Sequence, residues 1–194
     1  MKKIFLSFVF SLTILLGFSQ TKGTHEFELT VGGPTRNDFR DVANQIIESV
    51  IAAGNTTYTN KSSTPSIAIS YKTTIKDNWL IYADGVYQSV KENVLVKNNQ
   101  VGDINNSYVT FGVGTEYHYI YKPWFQMYSG ASIGFTAQYS NFKGSSSDLK
   151  DGHDGYFNFQ VNALGFRFGK KLAGIIELGA GYKGVANIGL SYQF

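Results

Sequence analysis

Between residues 125 and 140 apolar and polar side chains alternate almost without a break. Phe125, Met127, Ala131, Ile133, Phe135, Ala137 and Tyr139 share one face. Gln126, Tyr128, Gly130, Ser132, Gly134, Thr136, Gln138 and Ser140 share the other. A period of two belongs to a β-strand with a different medium on each side. The run at 107–120 repeats it, with Val109, Phe111, Val113, Tyr117 and Tyr119 against Thr110, Gly112, Gly114, Glu116 and His118. Eight such runs are legible, near 25–32, 65–75, 79–92, 107–120, 125–140, 155–169, 174–183 and 186–194. In 79–92 both faces are mixed. In 155–169 the apolar phase passes from Phe157, Phe159, Val161 and Ala163 to Leu164, Phe166 and Phe168. A one-residue phase shift is what a β-bulge produces. The final run puts Ala186, Ile188, Leu190, Tyr192 and Phe194 on its apolar face.

Alternation does not say which face is inside. Composition does. A water-facing strand surface is normally dense in Lys and Glu, yet only 16% of the chain is charged. The polar faces carry Gly, Ser, Thr, Asn and Gln with isolated charges, groups that suit the crowded interior of a narrow barrel. Tyr71, Trp79, Tyr119, Trp124 and Tyr192 lie near strand ends, where aromatic girdles meet the membrane interfaces. Tight turns at 76–78, 121–123 and 171–173 alternate with long polar connections at 33–64, 93–106 and 141–154. Short turns on one side and longer connections on the other are the outer-membrane pattern. The pattern predicts an all-β fold, an eight-stranded antiparallel transmembrane β-barrel with both termini on the short-turn side.

The start of the chain fits delivery to a membrane. Met1-Lys2-Lys3 is a short basic start, Ile4 to Leu16 an apolar run, and Gly17-Phe18-Ser19 places small residues before a cut ahead of Gln20. That is the pattern of a secretory signal peptide over 1–19, with the barrel domain over 20–194. The apolar run is shorter than the ~20 residues of a helical span. The formal charge is +3, and two of those charges sit on Lys2 and Lys3, which leaves +1 for the mature chain. No basic tract stands out, so nucleic acid is not an expected partner. The chain has no Cys, which excludes a lipoprotein anchor, a disulfide and a thiolate metal site.

With its signal, its eight alternating runs and the terminal Tyr192-Gln193-Phe194, the chain resembles small outer-membrane β-barrel proteins of the OmpA/OmpX type. The stretches 124–130 (WFQMYSG), 163–169 (ALGFRFG) and 177–184 (ELGAGYKG) are similar to the outer-membrane β-barrel domain common in Bacteroidota. The resemblance covers essentially the whole mature chain. It implies insertion by the barrel-assembly machinery, with Tyr192 and Phe194 as the assembly signal. It implies no chemistry, since one fold hosts many functions.

In this register Glu26, Glu28, Lys72, Asp84, Glu116, His118, Arg167, Glu177 and Lys183 point into the lumen. Eight strands leave an interior just wide enough for side chains, so these ions are expected to pair in a filled lumen. A hairpin centred on Leu172 sets Arg167 opposite Glu177. The alternative is a gated ion path, because charged rings also line pores. The run 145–155 gathers Ser146, Asp148, Asp151, His153 and Asp154, but it has neither calcium-loop spacing nor a nucleophile elbow. A solvated external loop explains it, and no metal or cofactor is expected.

Residues 38–53 have helical period, with Phe39, Val42, Ala43, Ile46, Val50 and Ala53 on one face. Asn37 can cap the start of this amphipathic helix and Gly54 its end. It can cover the barrel mouth, lie in the outer leaflet or bind a partner, and the lid is preferred. The sequence thus reads as a non-enzymatic barrel, structural or surface-binding, among outer-membrane lipids and with an extracellular protein or glycan as candidate ligand. A narrow gated pore and a lipid-active membrane enzyme are the alternatives. The enzyme needs a nucleophile and base at the outer-leaflet edge, and His25, His118 and His153 do not supply one in this register.

Overall fold

The alternating runs become strands of one closed sheet. The structure, a computed structural model, describes residues 23–40, 56–96, 99–144 and 152–194. The signal peptide expected at 1–19 and residues 41–53 of the expected helix lie outside them. The strands are β1 (His25–Gly33), β2 (Thr56–Ser63), β3 (Ser66–Lys76), β4 (Trp79–Val96), β5 (Asn99–Lys122), β6 (Phe125–Gly144), β7 (Gly152–Gly169), β8 (Leu172–Gly181) and β9 (Ala186–Gln193). Eight of them pair antiparallel in the ring β1-β3-β4-β5-β6-β7-β8-β9, and β9 returns to β1. The ring leaves no barrel edge. β2 stands outside it, paired with β4 from Val90 to Val96.

The inside and outside follow the alternation. Phe27, Leu29, Ile67, Ile69, Phe111, Ile133, Ile188 and Leu190 are among the exposed apolar side chains, while Glu28, Ser70, Lys72, Thr110, Ser132 and Gln160 are buried. This inverts a soluble barrel and suits hydrocarbon outside. At the end of the ring that carries the termini, Trp79, Tyr117, Tyr119, Trp124, Tyr192 and Phe194 are exposed, at the height of an interfacial girdle. His25 N donates to the Phe194 carbonyl at 3.0 Å, and Phe194 N donates back to His25 at 2.9 Å. The final residue is thereby zipped to the first strand.

Three expectations need correction. First, the described residues of the connections at 93–106 and 141–154 are strand, since β4 runs to Val96, β5 starts at Asn99, β6 runs to Gly144 and β7 starts at Gly152. Above the bilayer both faces of a strand meet water, so alternation fades while pairing continues. Second, β8 ends at Gly181 and not at residue 183, because the chain folds inward at Tyr182. Third, Phe166 pairs with Ile176 and Arg167 with Ile175, so the β7–β8 hairpin turns around Lys171 and not Leu172. Lys170 and Lys171 take the wet tip, and Leu172 pairs with Tyr192 on β9. The bulge read in 155–169 is present, as a register shift against β8 between Asn162 and Leu164.

The barrel wall has unequal height. β1, β3, β8 and β9 have 9, 11, 10 and 8 residues, close to the ~9–11 of a transmembrane strand. β4, β5, β6 and β7 have 18, 24, 20 and 18. The long strands and β2 therefore form a sheet that projects beyond the apolar belt, on the side away from the termini.

Candidate functional site

Every second residue of a wall strand faces the lumen, and the nine predicted residues all arrive there buried. Five carboxylates meet two lysines, one arginine and one histidine. Lys72 on β3 is the hub of the lower layer, with its Nζ 2.7 Å from Glu28 Oε2 and 2.8 Å from Glu116 Oε1. The same ammonium lies 5.1 Å from the Tyr128 ring centre, in cation–π range. Glu116 also faces His118, whose Nε2 is 3.5 Å from Oε2, and the imidazole stacks on Tyr128 at 4.8 Å.

Lys183 is the hub of the next layer. It lies 3.6 Å from Glu28, 3.9 Å from Asp84 and 4.0 Å from Glu177, one ammonium shared by three carboxylates. Lys183 reaches the lumen from the β8–β9 connection rather than from a strand. Gly181 at φ 146° and Gly184 at φ 126° take conformations L side chains rarely adopt, and these turn the hairpin inward. Tyr182 enters with it and donates to Asp84 at 3.0 Å. The Lys183 amide donates to Gln160 Oε1 at 2.9 Å, and its carbonyl accepts from Ser66.

Arg167 and Glu177 belong to different groups. Arg167 donates from Nε to Ser191 at 2.9 Å and to Glu26 at 3.4 Å, and from Nη2 to the Lys171 carbonyl at 3.0 Å. Glu177 stands opposite Gly165 and accepts from Tyr128 at 2.9 Å. The expected direct pair does not form, because the hairpin register places the two side chains two residues apart along β8. Arg167 closes the terminal end of the barrel, and Glu177 serves the interior.

The other end is crossed by the start of the expected lid helix, with a cap and partners that the sequence reading did not name. Residues 36–40 are helical, and Thr35, not Asn37, is the N-cap. The Thr35 amide donates to Asp38 Oδ2 at 2.7 Å, and the Asp38 amide donates to Thr35 Oγ1 at 3.4 Å. That reciprocal pair is a capping box, legible in the Thr-x-x-Asp spacing. Freed from capping, Asn37 is buried and accepts from Tyr156 at 2.9 Å and from Asn158 at 3.2 Å. Gln88 accepts from Thr35 Oγ1 at 2.7 Å and donates to Asp38 at 3.0 Å, while Ser63 donates to Asp38 at 2.6 Å. Arg36 donates to Asn158 at 3.0 Å, and Arg40 lies over the Tyr156 ring at 3.6 Å and pairs with Asp154 at 2.9 Å. Groups from β2, β4 and β7 thus meet one short segment across the mouth.

Asp38 makes this seal sensitive to acid. Burial raises its pKa, but bonds from Ser63, the Thr35 amide and Gln88 outweigh that and hold it below the ordinary value. A lowered folded pKa confers stability that is complete above the unfolded value of about 3.9 and lost as pH falls through the folded one. Protection of the Asp38 amide against hydrogen exchange, taken relative to the intrinsic rate at each pH, should therefore stay high at neutral pH and fall below about pH 4. In Asp38→Asn the acid step should vanish, and a step that persists would assign it to another group.

Asp148 and Asp151 lie outside the described residues. Asp154 is taken by Arg40, and among the described residues no group of His and carboxylates is arranged to hold a metal. The histidines stand in three surroundings: His25 against Tyr71 at the terminal end, His118 in the lumen, and His153 exposed on the projecting part of β7.

No family model and no curated protein matches the chain. Among solved structures, the chain is similar to the crystal structure of Ail, the attachment invasion locus protein of Yersinia pestis, in complex with the heparin analogue sucrose octasulfate. The TM-score is 0.46 at 8% sequence identity, over 89% of this chain and 97% of that one.

Proposed function

We propose that this protein is an integral outer-membrane barrel of the OmpA/OmpX type, non-enzymatic and closed, that binds an extracellular protein or glycan through its projecting sheet. The observation that carries the reading is the unequal wall. Ten residues suffice to anchor a strand, so the further length of β4 to β7 serves a purpose outside the bilayer. Its outer face offers Ser89, Lys91, Asn105, Ser107, Asn141 and Lys143, hydrogen-bonding groups with isolated charges. The filled lumen and the bonded seal across the mouth speak for a closed barrel over a gated path. The signal at 1–19 delivers the chain, and the barrel-assembly machinery reads Tyr192 and Phe194 on the last strand.

Orientation and binding are tested together. In intact cells Lys91→Cys and His153→Cys should react with an impermeant thiol reagent, and Lys122→Cys should not. Labelling at Lys122 with silence at His153 would invert the barrel. Replacing 92–104 and 141–153 by tight turns should leave the barrel folded and abolish binding of displayed protein to host-cell surfaces or glycan arrays. Undiminished binding would move the contact surface elsewhere.

A further inference from the structure

The lipid-facing wall is not evenly covered. Cross-strand pairing sets Ala83 beside Val113, and Val113 beside Ile133, in one outward row. In the next row towards the termini Ile81 stands beside Thr115, and Thr115 beside Ala131. Ala83 on β4 lies diagonal to Thr115 on β5, which stands beside Ala131 on β6, and Ile81, Val113 and Ile133 flank the three. A groove of ≈ 680 Å³ results. Its floor is Gly114, behind which the Tyr82 ring fills the lumen so closely that a Cβ would strike it.

The groove is apolar along its body and polar at one end. Thr115 donates its hydroxyl to the Leu80 carbonyl at 2.8 Å, which leaves its methyl group to the groove. At the end towards the termini stand Thr73 and Tyr71, whose hydroxyl is 2.8 Å from His25 Nδ1. Trp79 and Tyr117, packed at 5.1 Å, mark the interface close by. The groove is continuous with the apolar belt, so hydrocarbon is the medium that reaches it.

We propose that this groove is a binding site for one glycerophospholipid of the leaflet on the terminal side. One acyl chain lies over Ala83, Thr115 and Ala131, and the ester or phosphate oxygens meet His25, Tyr71 and Thr73. A chain seated there is touched on three sides, where a chain on the open belt is touched on one. The site rests on the membrane reading above and gives the barrel a preferred lipid in addition to its solvating ones.

The test uses the whole mature barrel, refolded into phosphatidylethanolamine–phosphatidylglycerol vesicles, exchanged into detergent and weighed by native mass spectrometry. Wild type should retain one phospholipid. Ala131→Phe and Ala83→Phe, which fill the groove from the strands on either side of β5, should each lower retention about tenfold through the loss of about ten van der Waals contacts to the chain. Leu190→Phe, on β9 in the open belt, should not. Heat-modifiable migration reports insertion separately, so a wild type that fails to insert sinks the membrane reading together with the site. A wild type that inserts but keeps no lipid, or keeps as much lipid as both filled variants, overturns the site alone. Dimers trapped through Ala131→Cys would give the groove to a second copy and overturn it too.

Discussion

Lys72→Ala lowers the barrel's resistance to unfolding by about 3–5 kcal/mol, the usual effect of stripping a buried ion of its partner. An exposed pair contributes roughly 0–1 kcal/mol, because water screens it. Here the ammonium is 2% exposed and its two carboxylates are fully enclosed. Without Lys72, Glu116 keeps His118, and Glu28 keeps Lys183 only at 3.6 Å. Denaturant unfolding in micelles measures the loss. The second arm is a double-mutant cycle, in which Lys72→Ala with Glu116→Ala should be more stable than the sum of the single losses, since the double variant leaves one fewer orphan charge. Simple additivity would mean that the two side chains do not share a buried contact. In planar bilayers all three variants should stay silent, because the seal at Thr35–Asp38 does not depend on this layer. A steady current in Lys72→Ala would make Lys72 the gate of a pore.

What the sequence made legible tracks where the two faces of a strand meet different media. Inside the belt, alternation assigned Glu28, Lys72, Glu116 and Arg167 to the interior, and all are buried. Beyond the belt the contrast ends. Thr56–Ser63 is a polar run with water-compatible residues on both faces, so nothing marked β2 as a strand. The same loss hid the outer ends of β4 to β7, most of all 99–106 of β5. Register failed for another reason. Alternation fixes which face a residue takes, but a shift of two keeps every face and exchanges the partners, so only turn chemistry could place Arg167. The two lysines at 170 and 171 were that signal, since a charged pair prefers the wet tip over the first strand position. The cap was misplaced because the helical period of 38–53 drew the start of the helix to Asn37. The Thr35–Asp38 capping box lay two residues earlier.

Gly181→Val should cost about 3 kcal/mol or more, whereas Gly174→Val on the same strand should cost nothing. At Gly181 two effects combine. The backbone sits at φ 146°, where an L side chain carries strain of about 1–3 kcal/mol. A Cβ there also meets the Phe159 carbonyl and Gln160, and overpacking costs a further ~1–3 kcal/mol. Gly174 faces the belt with open space around its Cβ position, and a β-branched side chain suits a lipid-facing strand. The consequence at Gly181 reaches past its own strain. If the hairpin 182–185 swings outward, Asp84 loses the Tyr182 hydroxyl, and Glu28, Asp84 and Glu177 lose Lys183 as their shared cation. Three carboxylates then remain in a layer whose cation has left. Lys183→Met removes the charge but keeps the hairpin, so it separates the two contributions. The glycine variant should be the worse of the two, because it loses Tyr182 as well. Equal stability of Gly181→Val and Gly174→Val would show that the inward hairpin is not held by this glycine, and the positioning of Lys183 would then need another cause.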